Sequence, residues 1–232
     1  MLKIALLYPE LLGTYGDGGN ALVLAARARR RGIAVEVVSV SIDEDIPAAD
    51  VFLLGGGEDG PQRQATFALA KSRALATRID DGATLLAVCA GFQIIGTSYE
   101  VDGGLLVDGL GLIDATTTRG EKRHVGNLLT GVGESFLVGF ENHGGETALG
   151  EHEEGLGNVL DGVGNAKTDW RGEAVDGVRR GGIFATYAHG PVLALNPWFA
   201  DALLESALGY ELEPLATIAD ELHRARVQAC GF

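Results

Sequence analysis

Cysteine is nearly absent: two in 232 residues, Cys89 and Cys230. Two thiols make no disulfide framework, and a reducing cytoplasm is the expected home. No run of about 18 apolar residues occurs, so no membrane insertion is expected. The opening Met-Leu-Lys-Ile-Ala-Leu-Leu-Tyr lacks the length and cleavage pattern of a signal peptide. Basic residues are also short, 18 Lys and Arg against 32 Asp and Glu, for a net charge of −14. That balance excludes a nucleic-acid or anionic-membrane surface, each of which needs a basic footprint. The one basic cluster, Arg27, Arg29, Arg30 and Arg31, closes a predicted helix and reads as a solvated helix end. Neither a Cys-x-x-Cys nor a His-Glu-x-x-His occurs, so no metal site is expected. His143 and His152 lie among acidic neighbours in a loop-rich stretch and read as solvated. A Gly-x-x-x-x-Gly-Lys-Ser/Thr loop is missing too, which removes that route to ATP chemistry.

What is present is an ordinary globular composition, 46% hydrophobic and 22% charged, long enough to bury a sizeable core. Glycine is abundant at 35 residues, so many turns and close backbone approaches are expected. Lys3–Tyr8, Ile33–Val40, Val51–Leu54 and Thr84–Val88 read as buried strands. Helices are expected from Asn20, as N-cap, to about Arg31, and from Pro61 to about Asp80. This order implies an α/β fold: an open, mostly parallel sheet with helices on both faces, flavodoxin-like. From Gly103 to Gly182 short β-prone pieces (Gly111–Thr118, Phe136–Phe140, Asn158–Val163) alternate with glycine turns, a β-rich elaboration of the same domain. Ile183–Tyr187 returns to a buried strand. Helices follow over Pro197–Leu208, capped by Asn196, and about Leu215–Val227. With no repeat and no linker, residues 1–232 are expected to form a single domain.

In such sheets ligands lie beyond the carboxyl ends of the strands. Two sharp turns face that edge. Cys89 ends a buried strand between small Ala87 and Gly91, with apolar Phe92, Ile94 and Ile95 starting a helix, which is the shape of a nucleophile elbow. A helix N-terminus beside the thiol favours the reactive thiolate. The stretch by itself also fits an inert core cysteine. His189 follows the late strand and, if that strand is parallel, emerges beside Cys89 as the base. The Ala90 amide, with that of Gly56 or Gly57 on the neighbouring turn, supplies an oxyanion hole. Gly55, Gly57 and Gly60 also spell a dinucleotide fingerprint. It follows the third strand, however, and Glu58 and Asp59 put negative charge where a pyrophosphate would sit.

The segments Leu-Leu-Gly-Gly-Gly-Glu-Asp59, Ala-Val-Cys89-Ala-Gly-Phe-Gln93, Glu141-Asn-His-Gly-Gly145 and Tyr187-Ala-His189-Gly-Pro191 resemble the class I glutamine amidotransferases. The resemblance is greatest to their cobyric-acid-synthase-like (CobB/CobQ) branch. Tyr15-Gly-Asp-Gly-Gly-Asn20 and the lack of a fused synthetase point, within it, to the glutaminase subunits that serve peptidoglycan amidation. The resemblance implies hydrolysis of L-glutamine by Cys89 and His189, with Arg123 and Gln93 as substrate-binding residues. It implies ammonia transfer to a Mur-ligase-like synthetase subunit that amidates the D-glutamate α-carboxyl of lipid II. No cofactor is implied in this chain; ATP and Mg are expected in the partner. One departure stands out. Pro191 occupies the place of the Glu that orients the histidine in many members, so the third group is expected from elsewhere, the partner included. A cobyrinate-type amidation, a Cys hydrolase or chaperone-like protein of similar fold, and an inactive binding module are the alternatives.

Overall fold

The computed structural model describes residues 1–232. The chain runs β1 (Leu2–Leu7), α1 (Gly19–Arg30), β2 (Val35–Val40), β3 (Val51–Leu54), α2 (Asp59–Ala70), α3 (Ala74–Asp80), β4 (Thr84–Val88) and α4 (Ala90–Ile95). There follow β5 (Ser98–Val101), β6 (Leu105–Asp108), β7 (Ala115–Val132), β8 (Ser135–Leu149), β9 (Gly157–Asp161), β10 (Val175–Asp176) and β11 (Val178–Arg180). The chain closes with β12 (Ile183–Thr186), α5 (Val192–Leu195), α6 (Pro197–Leu208) and α7 (Ile218–Ala229). None of these helices is long and apolar enough to cross a membrane.

The main sheet has the order β11-β12-β4-β3-β1-β2, parallel except for the β11 edge. The burial pattern explains the parallel pairing: every residue of β3, β4 and β12 is buried, as strands covered on both faces require. From β1 the chain crosses to β2 on one side, and from β3 to β4 on the other. Right-handed crossovers then put α1 and the α2–α3 pair on opposite faces. The order reverses between β1 and β3, so the loops after those two strands open a crevice at the carboxyl edge. A continuous core of 44 buried residues joins this sheet to the second one, with Ile113, Ala115, Leu128 and Leu137 in the same cluster as Phe52, Phe92 and Phe184. Each such large apolar side chain contributes roughly 1.5–3 kcal/mol by leaving water.

The second sheet, β10-β9-β7-β5-β6 with β8 on β7, differs from the sequence expectation in extent. Instead of short pieces, β7 and β8 form a long antiparallel hairpin whose register breaks between Arg119 and His124. Its exposed, charged middle carries no apolar alternation, so only cross-strand pairing reveals it as strand. The helix expected over Pro61–Asp80 is two helices, α2 and α3, separated at Lys71–Arg73. Asn20 is not a cap. It lies inside α1, where its side-chain carbonyl accepts a hydrogen bond from the Leu193 N–H at 3.0 Å. The arginine cluster is likewise not a plain solvated end. Arg27 is 6% exposed and makes a two-pronged bond to Asp201, which Arg31 also reaches. Asn196 does precede α6, but its side chain spans Val138 and Val192 and makes no cap bond.

Candidate active site

Three loops at the carboxyl edge of the main sheet build the site. The first is the elbow after β4. Cys89 has φ 53° and ψ −104°, a backbone that a residue with a Cβ adopts only when its surroundings force it. The forcing is visible. Cys89 N–H is held by the Thr186 carbonyl at 2.9 Å, and Gly91 N–H by the Gly55 carbonyl at 3.1 Å. A Cβ on Gly91 would lie 2.7 Å from the Leu54 oxygen, so only glycine lets α4 start this close to β3.

The second loop follows β12. Because β12 pairs in parallel with β4, Thr186 opposite Val88, the chain delivers His189 to the edge where Cys89 stands. His189 is fully buried between two rings, Tyr15 at 4.8 Å and Phe140 at 5.4 Å. Its Nδ1–H donates to Asp17, 3.1 Å from Oδ2 and 3.2 Å from Oδ1. Nε2, the ring nitrogen facing away from Asp17, is buried without a geometric hydrogen bond. Burial opposes charging of the ring, but the Asp17 hydrogen bond and the neighbouring Cys89 and Asp17 outweigh it and push His189 up to about 10.

Asp17 is the group that sequence reasoning expected from elsewhere, the partner chain included. It comes from this chain's own loop after β1, 172 residues before His189. Pro191 therefore leaves no gap behind the imidazole. Asp17 is 2% exposed, and its Oδ2 also accepts the Gly56 N–H at 2.9 Å. That bond corrects the expectation for Gly56, whose amide is spent on Asp17. Gly57 and Ala90 line the pocket with Cys89, and their N–H groups form no hydrogen bond within the chain. The turn after β3 needs glycine because Leu11 and Leu12 of the first loop pack against it. A Cβ on Gly55 would sit 2.2 Å from the Leu12 oxygen, and one on Gly57 2.7 Å from that of Leu11.

Above Cys89 is a polar pocket of about 140 Å3, walled by the elbow, by the loops after β1 and β3 and by the β7–β8 hairpin. The register break at residues 120–123 swings the exposed Arg123 over this pocket. Arg123 donates to Asn142 Oδ1 at 2.5 Å, to the Asn142 carbonyl at 3.2 Å and to the Tyr15 hydroxyl at 2.7 Å. Gln93 lies on the pocket wall. Its carbonyl accepts from Gln62 at 2.8 Å, and its amide donates to the Tyr187 hydroxyl at 3.1 Å. Tyr187 continues to Thr147 at 2.6 Å and Thr117 beyond, a satisfied polar seam that fixes Gln93 and joins the two sheets.

His143 overturns the solvated reading. It is 2% exposed, stacked on Tyr187 at 3.8 Å, with Nδ1 at 2.9 Å from the Gly145 carbonyl and Nε2 at 3.3 Å from Glu141. Glu141 in turn accepts the N–H groups of Val163 and Gly164 at 2.9 Å each. The pair holds the β8 wall of the pocket. His152 is exposed, as its neighbours suggest. No group of three or more His, Cys, Asp or Glu side chains is arranged to hold a metal ion. A thiol on a strained elbow, a carboxylate-oriented imidazole and two free N–H donors make a constellation for acyl transfer.

Comparison with known proteins agrees with that chemistry. The family model of the CobB/CobQ-like glutamine amidotransferase domain matches residues 3–197. Over 214 residues the chain is 37% identical to "Lipid II isoglutaminyl synthase (glutamine-hydrolyzing) subunit GatD" of Staphylococcus aureus (strain N315), spanning 88% of this chain and 85% of that protein. The protein of the same name from Streptococcus pneumoniae is 35% identical, spanning 89% and 80%. A crystal structure of a glutamine amidotransferase shares the fold, with a TM-score of 0.57 at 19% identity over 88% of this chain and 98% of that one.

Proposed function

This chain belongs to the CobB/CobQ-like glutamine amidotransferase domain family, and on that premise we propose that it hydrolyses L-glutamine at Cys89 and passes the ammonia to a separate synthetase. The observation that carries the residue assignment is the Asp17–His189 hydrogen bond beside Cys89, the thiol that lines a polar pocket. In the proposed cycle the Cys89 thiolate attacks the side-chain amide carbon. The oxyanion that forms faces the N–H groups of Gly57 and Ala90. Protonated His189 gives its Nε2 proton to the departing nitrogen, ammonia leaves, and a thioester remains on Cys89. Neutral His189, its Nδ1–H held by Asp17, takes a proton from water as the oxygen attacks the thioester. Glutamate departs, and the thiolate–imidazolium pair is restored. Arg123 takes the α-carboxylate of glutamine, and Gln93, held by Gln62 and Tyr187, fixes the pocket wall beside it.

The ammonia acceptor is a Mur-ligase-like subunit that spends ATP, with Mg, to activate the D-glutamate α-carboxyl of lipid II and amidate it to D-isoglutamine, a step of peptidoglycan biosynthesis. The names of the two relatives support this reading, as does the lack of an ATP-binding loop here. We place the reaction in the cytoplasm, where two unpaired thiols stay reduced. The test is co-expression with a Mur-ligase-like protein and an assay of glutamine- and ATP-dependent amidation of lipid II. Cys89→Ala is expected to abolish the glutamine-driven reaction and leave the ammonia-driven one intact. Amidation of a corrinoid alone by the purified pair overturns the peptidoglycan assignment.

A further inference from the structure

One side chain in the pocket links His189, Arg123 and Glu58. Tyr15 sits on the loop after β1, two residues before Asp17, and its ring packs on His189 at 4.8 Å. Its hydroxyl accepts from Arg123 Nη2 at 2.7 Å and donates to Glu58 Oε1 at 2.5 Å. Glu58 follows Gly57 at the position before α2, and its carboxylate stands 3.9 Å from Arg123 Nη2. That distance is too long for a direct hydrogen bond. A guanidinium and a carboxylate thus face the mouth of the pocket side by side, spaced by a phenol instead of closed on each other. Each keeps about half of its side chain exposed, 46% for Arg123 and 57% for Glu58, so both remain open to a ligand. Burial and the Glu58 carboxylate push the Tyr15 hydroxyl up to about 12, so it stays a donor to Glu58 at any physiological pH.

Such an arrangement is complementary to a zwitterion. We propose that Tyr15 and Glu58 form, with Arg123, the subsite that reads the α-amino acid headgroup of the substrate: Arg123 takes the α-carboxylate, Glu58 takes the α-ammonium, and the Tyr15 hydroxyl holds the two apart and in register. This rests on the glutaminase reading above and adds two specificity-determining residues to it. A bidentate guanidinium alone selects carboxylates in general. The adjacent carboxylate repels a ligand that lacks the ammonium, and so narrows the choice to amino acids. Because the Tyr15 ring also walls His189, ordering of the headgroup orders the catalytic ring with it.

The experiment measures the rate of covalent labelling of Cys89 by mass spectrometry with three probes. They are a diazoketone analogue of glutamine, its deamino counterpart, and iodoacetamide, which has no headgroup. Tyr15→Phe keeps the ring and removes one hydrogen bond at each charge, so labelling by both diazoketones is expected to slow about five- to ten-fold. The loss should appear in half-saturation and not in the limiting rate, with iodoacetamide unaffected. Glu58→Gln keeps an acceptor for the Tyr15 hydroxyl and is expected to slow only the amino-acid probe. Unchanged diazoketone labelling of Tyr15→Phe overturns the proposal, as does slowing shared by iodoacetamide or an equal effect of Glu58→Gln on both diazoketones. Failure of the glutaminase reading looks different: the unsubstituted chain would react with iodoacetamide and not with the amino-acid diazoketone.

Discussion

Asp17→Asn is the most informative single change, because it alters charge and hydrogen-bond logic in a fully packed position. Asp17 offers two oxygens to its surroundings, and both face His189 Nδ1 within 3.2 Å while one also holds Gly56 N–H. Asparagine is of the same size but replaces one oxygen by an NH2 donor and removes the counter-charge. The ring is then no longer held as the Nδ1–H tautomer, and burial, the largest influence on His189, is opposed by Cys89 alone. A wrong-tautomer imidazole cannot accept a proton at Nε2, and losses of about 10²- to 10⁴-fold in kcat are expected on that account. The pH dependence has a definite sign. His189 titrates near 10 when folded and near 6.5 when unfolded. Its contribution to stability is therefore complete below about pH 6.5 and disappears as pH rises toward 10. In Asp17→Asn that alkaline slope moves to lower pH and shrinks. The assay is ammonia release against pH, with NMR titration of the His189 ring and thermal unfolding across the same range. Activity within about three-fold of the parent, with an unmoved His189 titration, refutes the assignment of Asp17 as the orienting group.

The packing around the site makes further predictions. Gly56→Ala puts a Cβ 2.7 Å from His189 Cε1 and 2.9 Å from Tyr15 Cδ2, so both rings must shift. Ammonia release is expected to fall about 10²-fold, as misplacement of reacting groups does, with little change in unfolding temperature. Gly91→Ala drives a Cβ into Leu54 backbone and side chain at 2.7–2.8 Å, and chemical denaturation is expected to show a loss of about 1–3 kcal/mol. Asp201→Ala removes the carboxylate shared by Arg27 and Arg31, whose side chains are 7% and 9% exposed, and leaves them only backbone carbonyls. Denaturation should show a loss of about 2–3 kcal/mol, below the figure for a fully buried pair because Asp201 itself is 19% exposed.

Much of this protein was legible along the chain. The continuous apolar runs Val51–Leu54, Thr84–Val88 and Ile183–Thr186 read as doubly covered strands, and doubly covered strands are parallel ones. Once β12 is parallel to β4, His189 has to emerge beside Cys89. The glycine turn after β3 and the elbow after β4 follow from the same rule, since both end neighbouring strands on one edge. The hairpin middle was not legible. Arg119–Arg123 has no apolar period, and its strand character and position over the pocket come from pairing with residues 141–149 and from the register break. His143 was misread for a related reason: the ring that covers it, Tyr187, comes from a distant part of the chain.

The elbow shape at Cys89, the buried strand before His189 and the strands of the main sheet were legible in the sequence alone, because apolar runs and turn residues are local properties. The rest was decided by the tertiary structure. That Asp17 completes the line behind His189, that Gly57 and not Gly56 keeps a free N–H, and that Tyr15, Glu58 and Arg123 meet at the pocket mouth all depend on contacts between distant segments. Asp17 and His189 lie 172 residues apart, and Tyr15 and Arg123 lie 108 apart. Which distant carboxylate reaches a given imidazole is set by how loops pack over the strand order, and no periodicity in the chain encodes that.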